Sequence, residues 1–180
     1  MSFARLSVLL FACTVAVQAV SDFKISTQVA RDDSSWTDDD AFQSAILNTT
    51  NSYRSAHGAD SLTWDDTLAA YALNHSQSCV FEHSGGDYGE NLAAGYESPE
   101  ASVEAWGDEG DSYSCSDPGF SDDTGHFTQL VWKSTTTVGC ARVNCDGTND
   151  TPGWYVTCEY DPAGNIVSDD NQYFIDNVEC

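Results

Sequence analysis

Positive charge is scarce in this chain. Six Lys and Arg stand against 29 Asp and Glu, a formal net charge of −23. Such a surface repels phosphate backbones and anionic headgroups, which excludes nucleic acid as a natural partner. Its plain role is solubility outside the cell. Long apolar runs are also missing. The best candidate, residues 6–17, falls short of the roughly 20 residues that cross a bilayer, so no transmembrane segment is expected. The tail after Tyr173 is polar and acidic, unlike a lipid-anchor signal. Internal repeats and low-complexity tracts are absent. No two cysteines are separated by two residues, the spacing typical of zinc knuckles. No nucleophile elbow or Ser-His-Asp ordering marks a serine hydrolase, although Ser84 follows His83.

What is present begins with an export signal. Arg5 precedes the apolar run, and Val17-Gln18-Ala19 offers small residues for cleavage after Ala19. Residues 1–19 are therefore expected to be removed, and the protein to be secreted into the extracellular space. Of seven cysteines, Cys13 leaves with the signal. The even remainder (Cys79, Cys115, Cys140, Cys145, Cys158 and Cys180) suggests a disulfide framework in an oxidising compartment. Asn48 and Asn74 head glycosylation sequons; Asn149 heads a third, weakened by Pro152.

The chain beyond Ala19 suffices for one domain with a real core and not for two. Residues 20–40 are polar, acidic and without period, and read as a flexible arm. A first helix is expected over 41–57, with Phe42, Ala45, Ile46, Thr49 and Tyr53 on one face, the Asp38–Asp40 cluster as cap and Gly58 as stop. A second is expected over 65–79, with Leu68, Tyr71, Ala72, His75 and Cys79 in a stripe. A third begins at Ser98-Pro99 and carries Val103, Trp106 and Glu109. Residues 135–143 and 153–160, rich in Val, Thr and aromatics and separated by turn residues, read as paired strands. Residues 127–132 suit a helix or a strand equally. Helices first and strands later indicate an α+β layer fold. Trp64, Trp106, Trp132 and Trp154 read as core aromatics, and His57 and His75 as structural or exposed.

Four residues carry possible chemistry: His83, Glu90, Glu109 and His126. Two imidazoles and two carboxylates suit a divalent cation, with the carboxylates orienting the rings, or general acid–base work. They sit in His83-Ser84, then Gly89-Glu90-Asn91-Leu92, then Trp106-x-x-Glu109. Gly125-His126-Phe127-Thr128-Gln129-Leu130-Val131-Trp132, Val138-Gly139-Cys140-Ala141 and Cys158-Glu159-Tyr160-Asp161-Pro162-Ala163-Gly164-Asn165 follow. In that order and spacing the motifs resemble the CAP superfamily of cysteine-rich secretory, antigen 5 and pathogenesis-related proteins, nearest to its yeast-type secreted sterol-binding members. The resemblance covers about residues 41–165, with 166–180 left as a tail closing on the domain.

The resemblance implies a three-layer α-β-α sandwich with a central antiparallel sheet, and makes 127–132 a helix. It implies one open cleft holding His83, Glu90, Glu109 and His126, with zinc or magnesium on His83 and His126 in some relatives. It also implies the pairs Cys79–Cys145 and Cys140–Cys158, leaving Cys115 with Cys180. A loop after the third helix resembles the sterol-binding loop: Tyr113 and Phe120 occupy its outer aromatic positions and Cys115 the middle one, so a disulfide there would stiffen it. Gly107 stands where an aromatic usually follows the tryptophan, from which a more open cleft wall and a weaker helix are expected. The function implied is non-enzymatic binding of small lipids such as sterols, in export, defence or virulence. The alternatives are a metal-dependent hydrolase or protease using Glu90 or Glu109 as base, and a signalling ligand for a cell-surface receptor.

Overall fold

A computed structural model describes residues 32–180. The signal segment and the first part of the arm lie outside the described residues. In chain order the elements are α1 (Asp32–Thr37), α2 (Asp39–Ala56), β1 (Thr63–Trp64), α3 (Asp66–Ser76), β2 (Gly89–Ala94), α4 (Pro99–Asp108), α5 (Gly125–Leu130), β3 (Thr137–Asn144), β4 (Trp154–Asp161) and α6 (Gln172–Asn177). The three longest helices start where a side-chain oxygen meets free amides. Asp38 accepts from the Ala41 amide at 2.8 Å. Asp65 accepts from Thr67 and Leu68, and Ser98 accepts from Ala101 just ahead of Pro99. No helix among the described residues is long and apolar enough to cross a membrane.

The sheet runs in the order β1-β3-β4-β2. It is mixed rather than wholly antiparallel, because Thr63 and Trp64 pair parallel with β3. Two residues were too few to show a strand period in the sequence. One face of the sheet meets α3. The other carries Ala93, Val138, Cys140, Val156, Cys158 and Tyr160 into the main core. There they meet Phe42 and Ile46 of α2, Val103 and Trp106 of α4, and Phe127 and Leu130 of α5.

Two expectations change at the edges. The arm is not loose throughout: α1 buries Trp36, whose ring stacks on Trp154 at 5.2 Å. One tryptophan in a polar stretch makes no period, yet it docks. The wall at Gly107 is not opened. The ring of Tyr53 fills the space so closely that a Cβ at Gly107 would overlap it. The Tyr53 hydroxyl donates to Asp108 at 2.8 Å.

The C-terminal segment is anchored in several places. Phe174 is buried edge-on against Trp132, and Asn177 binds the Lys133 and Ser134 amides through its carbonyl and side chain. The cysteines pair as Cys79–Cys145, Cys140–Cys158 and Cys115–Cys180. Cys140 and Cys158 stand directly opposite each other in the β3–β4 register.

Candidate functional site

The edge strand β2 organises the candidate site. Glu90 lies in register with Glu159 of β4, and Glu159 with Gly139 of β3. A side chain at Gly139 would overlap the backbone of α3, so this row of residues faces α3. His83, in the loop between α3 and β2, meets Glu90 there: its Nδ1 lies 2.6 Å from Oε1 of Glu90. The Ser84 amide donates to the same carboxylate at 3.0 Å. The imidazole is 66% exposed, whereas its carboxylate is only 6% exposed. Burial by itself would raise the Glu90 carboxyl. The polar groups beside it, Glu159, Ser84 and His83, outweigh burial and hold Glu90 below the ordinary carboxylate range.

The second pair comes from the end of α4 and the start of α5. Glu109 follows the end of α4, and His126 opens α5. The His126 Nδ1 lies 2.6 Å from Oε1 of Glu109. The other oxygen of Glu109 accepts from the His126 and Phe127 amides at 3.0 and 3.1 Å. These amides start a helix and have no intrahelical partner. Trp106 stacks on the imidazole at 6.3 Å.

Asn91 bridges the two sides. Adjacent to Glu90, its side chain turns to the opposite face by strand alternation and donates to the His126 carbonyl at 3.0 Å. The four residues thus form two pairs, linked through neighbouring positions of β2. Among the described residues, no group of three or more His, Cys, Asp or Glu side chains could hold a metal ion. Each imidazole nevertheless fits as a single ligand, because the carboxylate is engaged at Nδ1 and Nε2 is the ring's other donor atom. A cavity of about 390 Å³ adjoins the second pair, lined by Phe81, Leu92, Tyr96, Trp106, Glu109 and His126.

The loop after α4 is only partly turned outward. Tyr113 packs inward on Phe127 at 5.7 Å. Phe120 stays 50% exposed. A second cavity, of about 550 Å³, lies between this loop and the C-terminal segment, with Tyr113, Pro118, Phe120 and Val167 among its apolar walls and Asp117, Asp123 and Asn171 among its polar ones.

The other polar residues singled out lie outside the two pairs. His57 and His75 each bond a backbone carbonyl, those of Glu179 and Glu82. The Ser84 hydroxyl accepts from the Gly86 amide. Asn48 and Asn74 are exposed on α2 and α3.

Two residues escaped the sequence reading. Arg54 is fully buried, and its guanidinium donates to the carbonyls of Asp60, Leu130, Trp132 and Thr135. Glu159 is the other, with 0% exposure in the middle of the sheet. Burial, then the Glu90 carboxyl facing it across the ladder, push its carboxyl far above the ordinary range. Strand alternation was the available signal: Glu159 shares a face with Tyr155 and Thr157, which are both buried.

Residues 47–160 match the model of the "Cysteine-rich secretory protein family". The chain belongs to this family. Protein PRY2 of Saccharomyces cerevisiae is 47% identical over 142 residues, covering 76% of this chain and 41% of PRY2. Secreted protein RBT4 of Candida albicans is 45% identical over 152 residues, covering 78% of this chain and 41% of RBT4. This family member therefore spans less than half the length of either fungal relative. The crystal structure of NaASP2 with Zn2+ superposes with a TM-score of 0.58 at 24% identity, over 69% of this chain and 80% of that one. The likeness is one of fold, the α-β-α arrangement described above.

Proposed function

We propose that this protein is a non-enzymatic, extracellular binder of small lipids such as sterols. The observation that carries the reading is the cavity of about 550 Å³ between the Tyr113–Phe120 loop and the C-terminal segment. Its size falls in the range of small-ligand sites, about 300–1,000 Å³. Phe120 and Val167 stand at its walls 50% and 66% exposed, an apolar surface left to solvent in an otherwise acidic protein. Covering such surface contributes about 25 cal/mol per Å². The Cys115–Cys180 bond and the buried Phe174 hold both walls in place, which lowers the ordering cost of binding. Export is supported by the signal-like first residues and by the name of the relative RBT4, a secreted protein.

A divalent cation, zinc or magnesium, would be held by Nε2 of His83 and Nε2 of His126, and would supply a Lewis-acid centre there. Glu90 and Glu109 would keep each ring oriented by accepting at Nδ1.

Radiolabelled cholesterol titrated against the purified protein tests the lipid reading. Saturable binding is expected, weakened about 10-fold or more in Phe120→Ala, the loss that exposing one buried aromatic side chain implies. Well-folded protein without saturable binding overturns it.

A further inference from the structure

β4 places a carboxyl where no charge can be neutralised. Glu159 is 0% exposed, between Glu90 on one neighbouring strand and Gly139 on the other. Neither of its oxygens accepts a hydrogen bond from any described residue. The described residues contain three Lys or Arg, and each is engaged elsewhere. Arg54 serves four backbone carbonyls. Lys133 pairs with Glu179. Arg142 meets Asp39 and the Trp36 carbonyl.

The elements packed against this position bring no cation either. From β2 comes Glu90, with His83 beyond it. From β3 comes Gly139. α3 lies over Gly139 with Leu68 and its own backbone. Its titratable side chains are directed to other partners: Asp65 caps the helix, Asp66 binds Trp64, Tyr71 meets Tyr88, and His75 bonds the Glu82 carbonyl. On β4 itself, Tyr160 turns to the opposite face toward Asn91, and Tyr155 packs on Phe81.

An ionised carboxylate so enclosed is strongly disfavoured. A neutral acid has one O–H to donate, and the residue directly across the ladder from it is Glu90. We propose that Glu159 is a positioning residue for the first pair: it keeps its proton at neutral pH and donates it as a hydrogen bond to Glu90, which in turn accepts the Nδ1 proton of His83. The chain runs from the core to solvent. Glu90, held by the Glu159 hydroxyl and the Ser84 amide, is fixed in direction. His83 is thereby kept in the Nδ1–H tautomer, with the Nε2 lone pair facing outward. The second pair does without such a residue, because helix amides hold Glu109.

Carboxyl-carbon and imidazole-nitrogen NMR on the whole secreted protein tests this. From about pH 5 to 7, above the ordinary Glu value of about 4.3, the Glu159 resonance is expected to stay that of a neutral acid. Near pH 8, above the ordinary histidine value of about 6.5, the His83 nitrogens are expected to report the Nδ1–H tautomer. Glu159→Gln retains a neutral donor and should preserve the tautomer ratio. Glu159→Leu removes the donor, and the ratio should fall about fivefold, the net worth of one hydrogen bond. A Glu159 carboxyl that titrates in the ordinary range overturns the proposal. So does a Leu variant with the wild-type ratio, or a folded Gln variant that loses it. Should the Leu variant fail to fold, the wild-type titration and the Gln variant decide.

Discussion

The two histidine–carboxylate pairs use the same contact and are built differently. Both rings meet their carboxylate through Nδ1 at 2.6 Å. The Glu109 carboxylate sits on the opening amides of α5, with Trp106 against its imidazole. The Glu90 carboxylate sits on a strand, backed by another acid, and its imidazole stands largely in solvent. The chain is poor in Lys and Arg, and those among the described residues are engaged elsewhere, so neither carboxylate is held by one. It holds one with backbone dipoles and the other with a neutral acid.

The largest effect should come from breaking the helix-held pair. Glu109→Ala leaves the His126 and Phe127 amides without an acceptor, and we expect a loss of about 3 kcal/mol from two charge-assisted bonds. Urea unfolding measures it. A loss below about 1 kcal/mol means that water replaces the carboxylate and the pair is less interior than its bonds imply.

Glu159→Gln sharpens the strand-held side through pH. The folded-state pKa of Glu159 lies above its unfolded value. The folded protein thus keeps a proton that the unfolded chain has already released, and stability falls as pH rises from about 4.3 toward the raised value. The Gln variant lacks that slope, which is at most about 1.4 kcal/mol per pH unit. Its stability relative to wild type should therefore grow, to about 1–3 kcal/mol at pH 8. Glu90 acts in the other sense: its pKa is lowered on folding, so its contribution is present above the unfolded value and is lost as pH falls through the folded one. Unfolding curves at pH 5 and pH 8 separate the two. A constant difference between variant and wild type removes the case for a neutral Glu159.

The smallest effect compares the rings themselves. His83→Ala should change stability by no more than about 0.5 kcal/mol, as for other surface positions. His126→Ala should cost about 1 kcal/mol through lost contact with Trp106. Thermal unfolding of the two variants side by side gives the order, and equal losses would erase the distinction drawn between a solvent-facing and a packed imidazole.

Much of this was legible in the residues. The Asp38 and Ser98-Pro99 caps mark two helix starts within two residues, and the Val- and Thr-rich stretches mark β3 and β4, because capping and alternation are local. β2 was legible as a motif and not as a strand: Gly89-Glu90-Asn91-Leu92-Ala93-Ala94 lacks β-branched residues, and its pairing with β4 is non-local. The same reason hid Glu159, whose meaning comes from the residue facing it across the ladder. Trp36 and Tyr53 fell to tertiary packing, one docking from a polar stretch and one filling the notch that Gly107 leaves.

The Cys115–Cys180 bond makes the C-terminal part of the chain a closed ring. A protease that cuts any single peptide bond between those two cysteines releases nothing, since both fragments carry a half of the bridge. The nicked molecule keeps its mass, apart from one added water, until a reductant is supplied. Liberating a peptide from within that ring therefore takes a second cut or thiol chemistry. Gels run with and without reductant after limited digestion distinguish the intact ring from the opened one.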